Sequence, residues 1–215
     1  FEERRVKMGG RVQTQLTYSY NGLNWYRATR EPFIATREYG LLGGGQLYGM
    51  ELLRTRDHKL LIFSSAALGE HAAYPDMQRA GLETRGFFGM TLHELRLDGF
   101  CSLRTWGKDG RLRTKTVIPQ SAAFSLNVRT THHTAVRVQL CDGESGQPIP
   151  GYTFDEAIPI SGDHLFAEPH WQAHTDLSAL IGRPIRIEIA LREAELFAIR
   201  LDCLLYVGTE PTEGL

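Results

Sequence analysis

The feature that most constrains this chain is the run from residue 121 to 206. Short stretches of alternating apolar and polar residues are separated by turn signals. The run closes with Asp176-Leu177-Ser178-Ala179-Leu180-Ile181-Gly182-Arg183-Pro184-Ile185-Arg186-Ile187-Glu188-Ile189. A period of two puts one face of each strand in a core and the other in water. With no ten-residue helical pattern between the strands, the spacing predicts an antiparallel β-sandwich. Such a module commonly supports or accompanies a catalytic domain, and only a partial domain precedes it here.

The chain has 215 residues, which allows one large or two small domains. Its 42% hydrophobic content is enough for a real core. A formal net charge of -1 favours neither a nucleic acid nor an anionic membrane as partner. No apolar run approaches the roughly 20 residues that cross a bilayer. No signal peptide is visible, and the first residue is Phe1, so the chain reads as a processed product or as part of a longer one. No compartment follows. Cys101, Cys141 and Cys203 are odd in number, lack metal-type spacing and lie near apolar strands. Buried thiols are the first reading; one disulfide with a free thiol is the second.

Along the chain, residues 11–20 alternate as a strand, and Asn21-Gly22 reads as a tight turn leading to a return strand at Trp25-Tyr26. Pro32 and Gly43-Gly44-Gly45 forbid regular structure between residues 32 and 45. Residues 46–54 and 59–64 pair around a turn at Arg56-Asp57-His58, and residues 66–86 read as a long loop. Residues 87–97 form a strand with Phe87, Gly89, Thr91, His93 and Leu95 on one side. Further strands are expected at 100–103, 112–118, 122–128, 135–140, 185–191 and 197–207, with turns at Asp109-Gly110 and Asp142-Gly143. One helical turn is expected at 176–180, capped by Thr175 or Asp176. The fold class is therefore all-β: partial propeller blades over residues 1–97, then an antiparallel sandwich over 98–215. A propeller needs about four to eight four-stranded blades to close. The first part alone would leave apolar faces bare, so it is expected to dock on missing propeller blades or on a second copy of the chain.

Ser19-Tyr20-Asn21-Gly22-Leu23-Asn24-Trp25 resembles the Ser-x-Asp-x-x-x-Trp hairpin of five-bladed propeller glycosidases of the invertase and arabinanase type, with Asn21 in the place of the usual Asp. Residues 25–34 and Leu97-Asp98-Gly99-Phe100-Cys101-Ser102-Leu103 are similar to the last blades of bacterial proteins of that superfamily and to their passage into a C-terminal sandwich. Gly146-Gln147-Pro148-Ile149-Pro150-Gly151-Tyr152, Ile160-Ser161-Gly162-Asp163 and residues 176–186 resemble that sandwich. The resemblance runs from about Val12 to Tyr206 and implies the C-terminal part of a glycosidase-like protein. The superfamily's acidic catalytic residues come mostly from early blades, which are absent here, so no catalytic set transfers.

Glycoside hydrolysis needs two carboxyl groups flanking the scissile bond. Glu51 follows a glycine-rich loop that would let a substrate approach closely; it reads as an active-site carboxylate or as a solvated strand residue. By the resemblance, His71 would face the propeller's central pocket; otherwise it is an exposed loop histidine. Sugars pack their CH-rich faces on aromatic rings and pair their hydroxyls with planar polar groups. Tyr48 is a candidate wall of such a pocket. Trp25 and Trp171 read mainly as core, and Trp106 as a platform or a residue packed between the two parts. The alternative function is a non-catalytic carbohydrate-binding or structural sandwich, which would place Trp106 or Trp171 on the surface. His164, His170 and His174 accompany Asp163 and Glu168 without recognisable ligand spacing, and neither a metal nor another cofactor is expected. No phosphate loop or nucleophile elbow is present.

Overall fold

The structure is a computed structural model that describes residues 10–38, 40–70, 73–74, 78, 81, 84–131 and 133–206. The chain is all-β and divides into two compact units, Phe1–Phe100 and Cys101–Leu215.

The first unit is built on an antiparallel sheet in the order β1-β2-β3, with β1 at Gln46–Arg54, β2 at Lys59–Ala67 and β3 at Phe88–Arg96. The β1–β2 connection is short because His58 takes a φ of 62° and the Thr55 amide donates to the Lys59 carbonyl at 2.9 Å. The register sets Leu60, Ile62, Ser64 and Ala66 opposite Leu95, His93, Thr91 and Gly89. That is the facing expected from the alternation of β3. Leu47, Ile62 and Ile34 form the small core on this side, with Phe33 and Leu95 packed against it.

Three expectations for this unit are corrected. Residues 11–20 do not form a continuous strand: they meet the rest through single bridges, Val12 to Gln46, Thr14 to Ile34 and Tyr18 to Tyr26. Asn21-Gly22 is not a two-residue turn either. Only Gly22 has positive φ, at 73°, while the Asn21 carboxamide oxygen accepts from the amides of Leu23 and Asn24 at 2.9 Å. The side chain thus organises a wider loop, as Asn often does. Trp25 donates its indole N–H to the Gly22 carbonyl at 3.2 Å and stays 63% exposed, so it is not a hairpin core residue.

The second unit is one curled antiparallel sheet. Its strands are β4 (Leu103–Arg104), β5 (Asp109–Arg113), β6 (Val117–Thr130), β7 (Val136–Asp142), β8 (Asp163–Ala167), β9 (Ile185–Arg192) and β10 (Ala194–Leu205). Their order is β4-β10-β6-β9-β5, with β7 also on β9 and β8 also on β6. Strands β6 and β9 share the single pair Val117–Ile185. Beyond it the sheet opens into two layers, β4-β10-β6-β8 and β5-β9-β7. Leu126 and Val128 from one layer and Val138, Leu140, Ile187 and Ile189 from the other fill the space between. Trp171 is 2% exposed there, donates to the Val138 carbonyl at 2.9 Å and meets Tyr152 edge-on.

Asp109 and Gly110 belong to β5, not to a turn, because they pair with Arg192 and Leu191 of β9. The expected strand over 112–118 is divided between β5 and β6, and β8 is a strand beyond those expected. The helical turn is a short 3-10 turn, Ser178–Leu180, preceded by Asp176, whose carboxylate accepts from the Ser178 amide at 2.8 Å. All three cysteines are free. Cys141 is buried and Cys203 half-buried, but Cys101 is exposed because the expected strand at 100–103 shrinks to Leu103–Arg104.

Candidate functional site

Tyr48 and Glu51 both lie on β1, three residues apart, where strict alternation would point them to opposite faces. A bulge between Gly49 and Glu51 changes this: Tyr48 sits opposite Ser65 and Glu51 opposite Phe63. Residues directly opposite share a face, so the bulge brings Tyr48 and Glu51 to the same side. That side also carries Phe88 (56% exposed), Met90 (65%) and Leu92 (56%) from β3. Glu51 is exposed, and the Tyr48 hydroxyl donates to Gln46 Oε1 at 2.9 Å. His71 lies outside the described residues. The face is an open, mainly apolar sheet surface that carries Glu51 and, farther along, Glu94 paired with Lys59 at 2.9 Å.

The glycines before β1 do not receive a substrate. Gly43, Gly44 and Gly45 are buried. A Cβ on Gly45 would stand 1.9 Å from the Gly69 carbonyl oxygen, and one on Gly44 would stand 2.2 Å from that of Glu38. The missing side chains admit the chain's own backbone. Gln46 closes the same corner by donating to the Gly69 carbonyl at 3.0 Å.

The histidines expected near residues 163–174 are separated by local bonds. His164 Nε2 bonds to the Ser161 carbonyl at 2.8 Å, His174 stacks on Tyr152 with centroids 4.3 Å apart, and His170 is exposed. His133 has a φ of 68° in a turn, and its neighbour His132 lies outside the described residues. Among the described residues no group of three or more His, Cys, Asp or Glu is placed to hold a metal ion.

A different site emerges in the second unit. Arg104, Glu195 and Arg129 stand side by side on β4, β10 and β6. Glu195 receives the Arg129 guanidinium and lies 3.6 Å from Arg104 Nε. The β4–β5 connection carries Trp106, which is 73% exposed, with the Arg104 guanidinium 4.6 Å from its ring centroid. Thr105 pins this connection to the β9–β10 corner: its amide donates to the Ala194 carbonyl at 3.0 Å, and its hydroxyl accepts from the Ala194 amide at 3.3 Å. Glu193 is the single residue between β9 and β10 and takes a φ of 42°. Its carboxylate accepts from the Thr131 hydroxyl at 3.2 Å. These groups line a cavity of about 180 Å³. A second, wider groove of about 730 Å³ lies on β6, β8 and β10, where Arg200 stacks 4.7 Å over Phe166.

No family model, curated protein or solved structure matches the chain.

Sequence reasoning named Trp106 but missed its setting. Arg104, Arg129, Glu193 and Glu195 are unremarkable charges until the pairing of β4, β6 and β10 assembles them.

Proposed function

We propose that this chain is the C-terminal portion of a glycoside hydrolase-like protein, with residues 46–96 as a terminal propeller blade and the second unit as its supporting sandwich. The observation that carries the reading is the uncovered apolar face of β1-β2-β3, with Tyr48, Phe88, Met90 and Leu92 all more than 40% exposed. A sheet with an apolar face is stabilised by burying it against another layer, and in a propeller that layer is the neighbouring blade. The similarity of residues 19–34 and 97–103 to the invertase and arabinanase type supplies the chemistry. In this reading Glu51, Tyr48 and His71 contribute pocket walls, and missing blades supply at least one catalytic carboxylate.

The test is the intact mass and activity of the protein isolated from its source cells. A species heavier than 24.2 kDa that hydrolyses glycosides, and is weakened by Glu51→Gln, agrees with the proposal. A 24.2 kDa monomer that is inert toward a glycoside panel sinks it.

A further inference from the structure

The geometry points to a binding site for one ring of a neutral polysaccharide at Trp106, in the cavity between the β4–β5 connection and the β9–β10 corner. The inference uses the second unit alone and stands whether or not residues 46–96 are a blade. Four observations lead to it.

Trp106 keeps 73% of its surface in water, on a connection that its neighbours hold in place. The two Thr105–Ala194 hydrogen bonds fix the backbone beneath it, and Gly107 turns the chain after it with a φ of 66°. The Arg104 guanidinium lies over the ring, which favours one placement of the indole, and most of the residue's surface stays open to solvent. An immobilised aromatic face matches the CH-rich face of a sugar.

Around the ring stand planar side chains that can pair hydroxyls: the guanidiniums of Arg104 and Arg129, each about half exposed, and the carboxylates of Glu193 and Glu195. Donors and acceptors are both present, as a sugar's hydroxyls need. The two positive and two negative side chains cancel, so the site has no surplus charge to hold a phosphate or a uronate. A neutral ring is the ligand that fits.

The size agrees. About 180 Å³ lies below the roughly 300–1,000 Å³ of sites for drug-sized ligands and has room for one ring, with the rest of the chain in water. Glu193 adds a further sign. Its left-handed backbone is uncommon for a non-glycine residue, and such strain gathers at ligand sites. Here it turns the chain in one residue and places the carboxylate at the cavity.

The test is affinity electrophoresis of the full chain in gels containing inulin, linear arabinan, glucomannan or xylan, with polygalacturonate as the anionic comparison. Retardation is expected with at least one neutral polysaccharide. Trp106→Ala should weaken it about tenfold or more, and Trp106→Phe should retain part. Phe166→Ala, which alters the exposed aromatic of the wider groove, should leave it unchanged. Equal melting temperatures confirm that the variants are folded. The proposal is overturned by no retardation in any neutral gel, by retardation in polygalacturonate alone, or by a loss that follows Phe166 and not Trp106.

Discussion

Arg113, Glu188 and Gln139 stand opposite one another across β5, β9 and β7, and the two charges in that row are not equivalent. The Glu188 side chain is 7% exposed and the Arg113 side chain 56%. Glu188 accepts from Arg113 and, at 3.1 Å, from Gln139 Nε2, while the Gln139 oxygen accepts from the Phe154 amide at 3.1 Å. Removing the guanidinium by Arg113→Ala leaves a buried carboxylate beside Gln139 and the Cys141 thiol. Breaking a buried pair in this way costs about 3–5 kcal/mol. The surviving Gln139 bond places the expected loss near the lower end, about 3 kcal/mol. Glu188→Gln keeps the volume and an acceptor oxygen, and it releases an arginine that already reaches water. Its cost is that of an ordinary hydrogen bond, about 1 kcal/mol. The assay is urea unfolding in a background where the exposed Trp25 and Trp106 are Phe, so that buried Trp171 reports on the second unit. With a slope of about 1–3 kcal/mol per molar urea, a difference of about 2 kcal/mol should separate the two midpoints by roughly 0.7–2 M. If Glu188→Gln proves as costly as Arg113→Ala, the asymmetry argued from burial is wrong.

Gly45→Ala should destabilise the first unit by about 1–3 kcal/mol or more, since its Cβ meets backbone 1.9 Å away; Gly22→Ala, in open space at a φ of 73°, should cost only about 1 kcal/mol. Amide exchange at Val12 and Leu47, both bonded around Gly45, would rank the two. Ser64→Ala should leave the first unit equally stable or raise its stability by up to about 1 kcal/mol, because among the described residues the buried Ser64 hydroxyl has no hydrogen-bond partner; a clear loss in thermal unfolding would show that the hydroxyl is satisfied. Asp142, beside Arg183 and the Ser145 and Glu144 donors, is held well below the usual carboxylate range. A depressed folded pKa gives stability that is fully present above the unfolded value of about 3.9, begins to fall below it, and is lost only as pH drops through the lower folded value. Asp142→Asn should therefore melt lower at pH 7 and lose less on acidification, the difference between the two narrowing steadily as pH falls below about 4; a difference that stays constant would contradict the assignment.

The sequence by itself determined the fold class and most strand positions. Period-two alternation along 46–54, 88–96, 136–142 and 185–192 is a local property, set by which side chains water excludes, and no distant partner is needed to read it. The tight connection before Lys59 was legible for the same reason. Tertiary structure decided what alternation leaves open. Asp109-Gly110 has turn chemistry, yet pairing with β9 draws it into a strand. Gly43-Gly44-Gly45 announces close approach, but only the packed chain reveals that the approaching group is its own backbone at Glu38 and Gly69. A bulge of one residue, invisible in the composition of β1, carries Tyr48 and Glu51 to a common face. At the candidate site the separation is widest: Arg104 with Trp106, Arg129, and Glu193 with Glu195 come from three distant parts of the chain and converge through strand register. A hydrophobic pattern records what each residue avoids. It does not record which strand lies beside which, and that adjacency alone places these charges around one exposed ring.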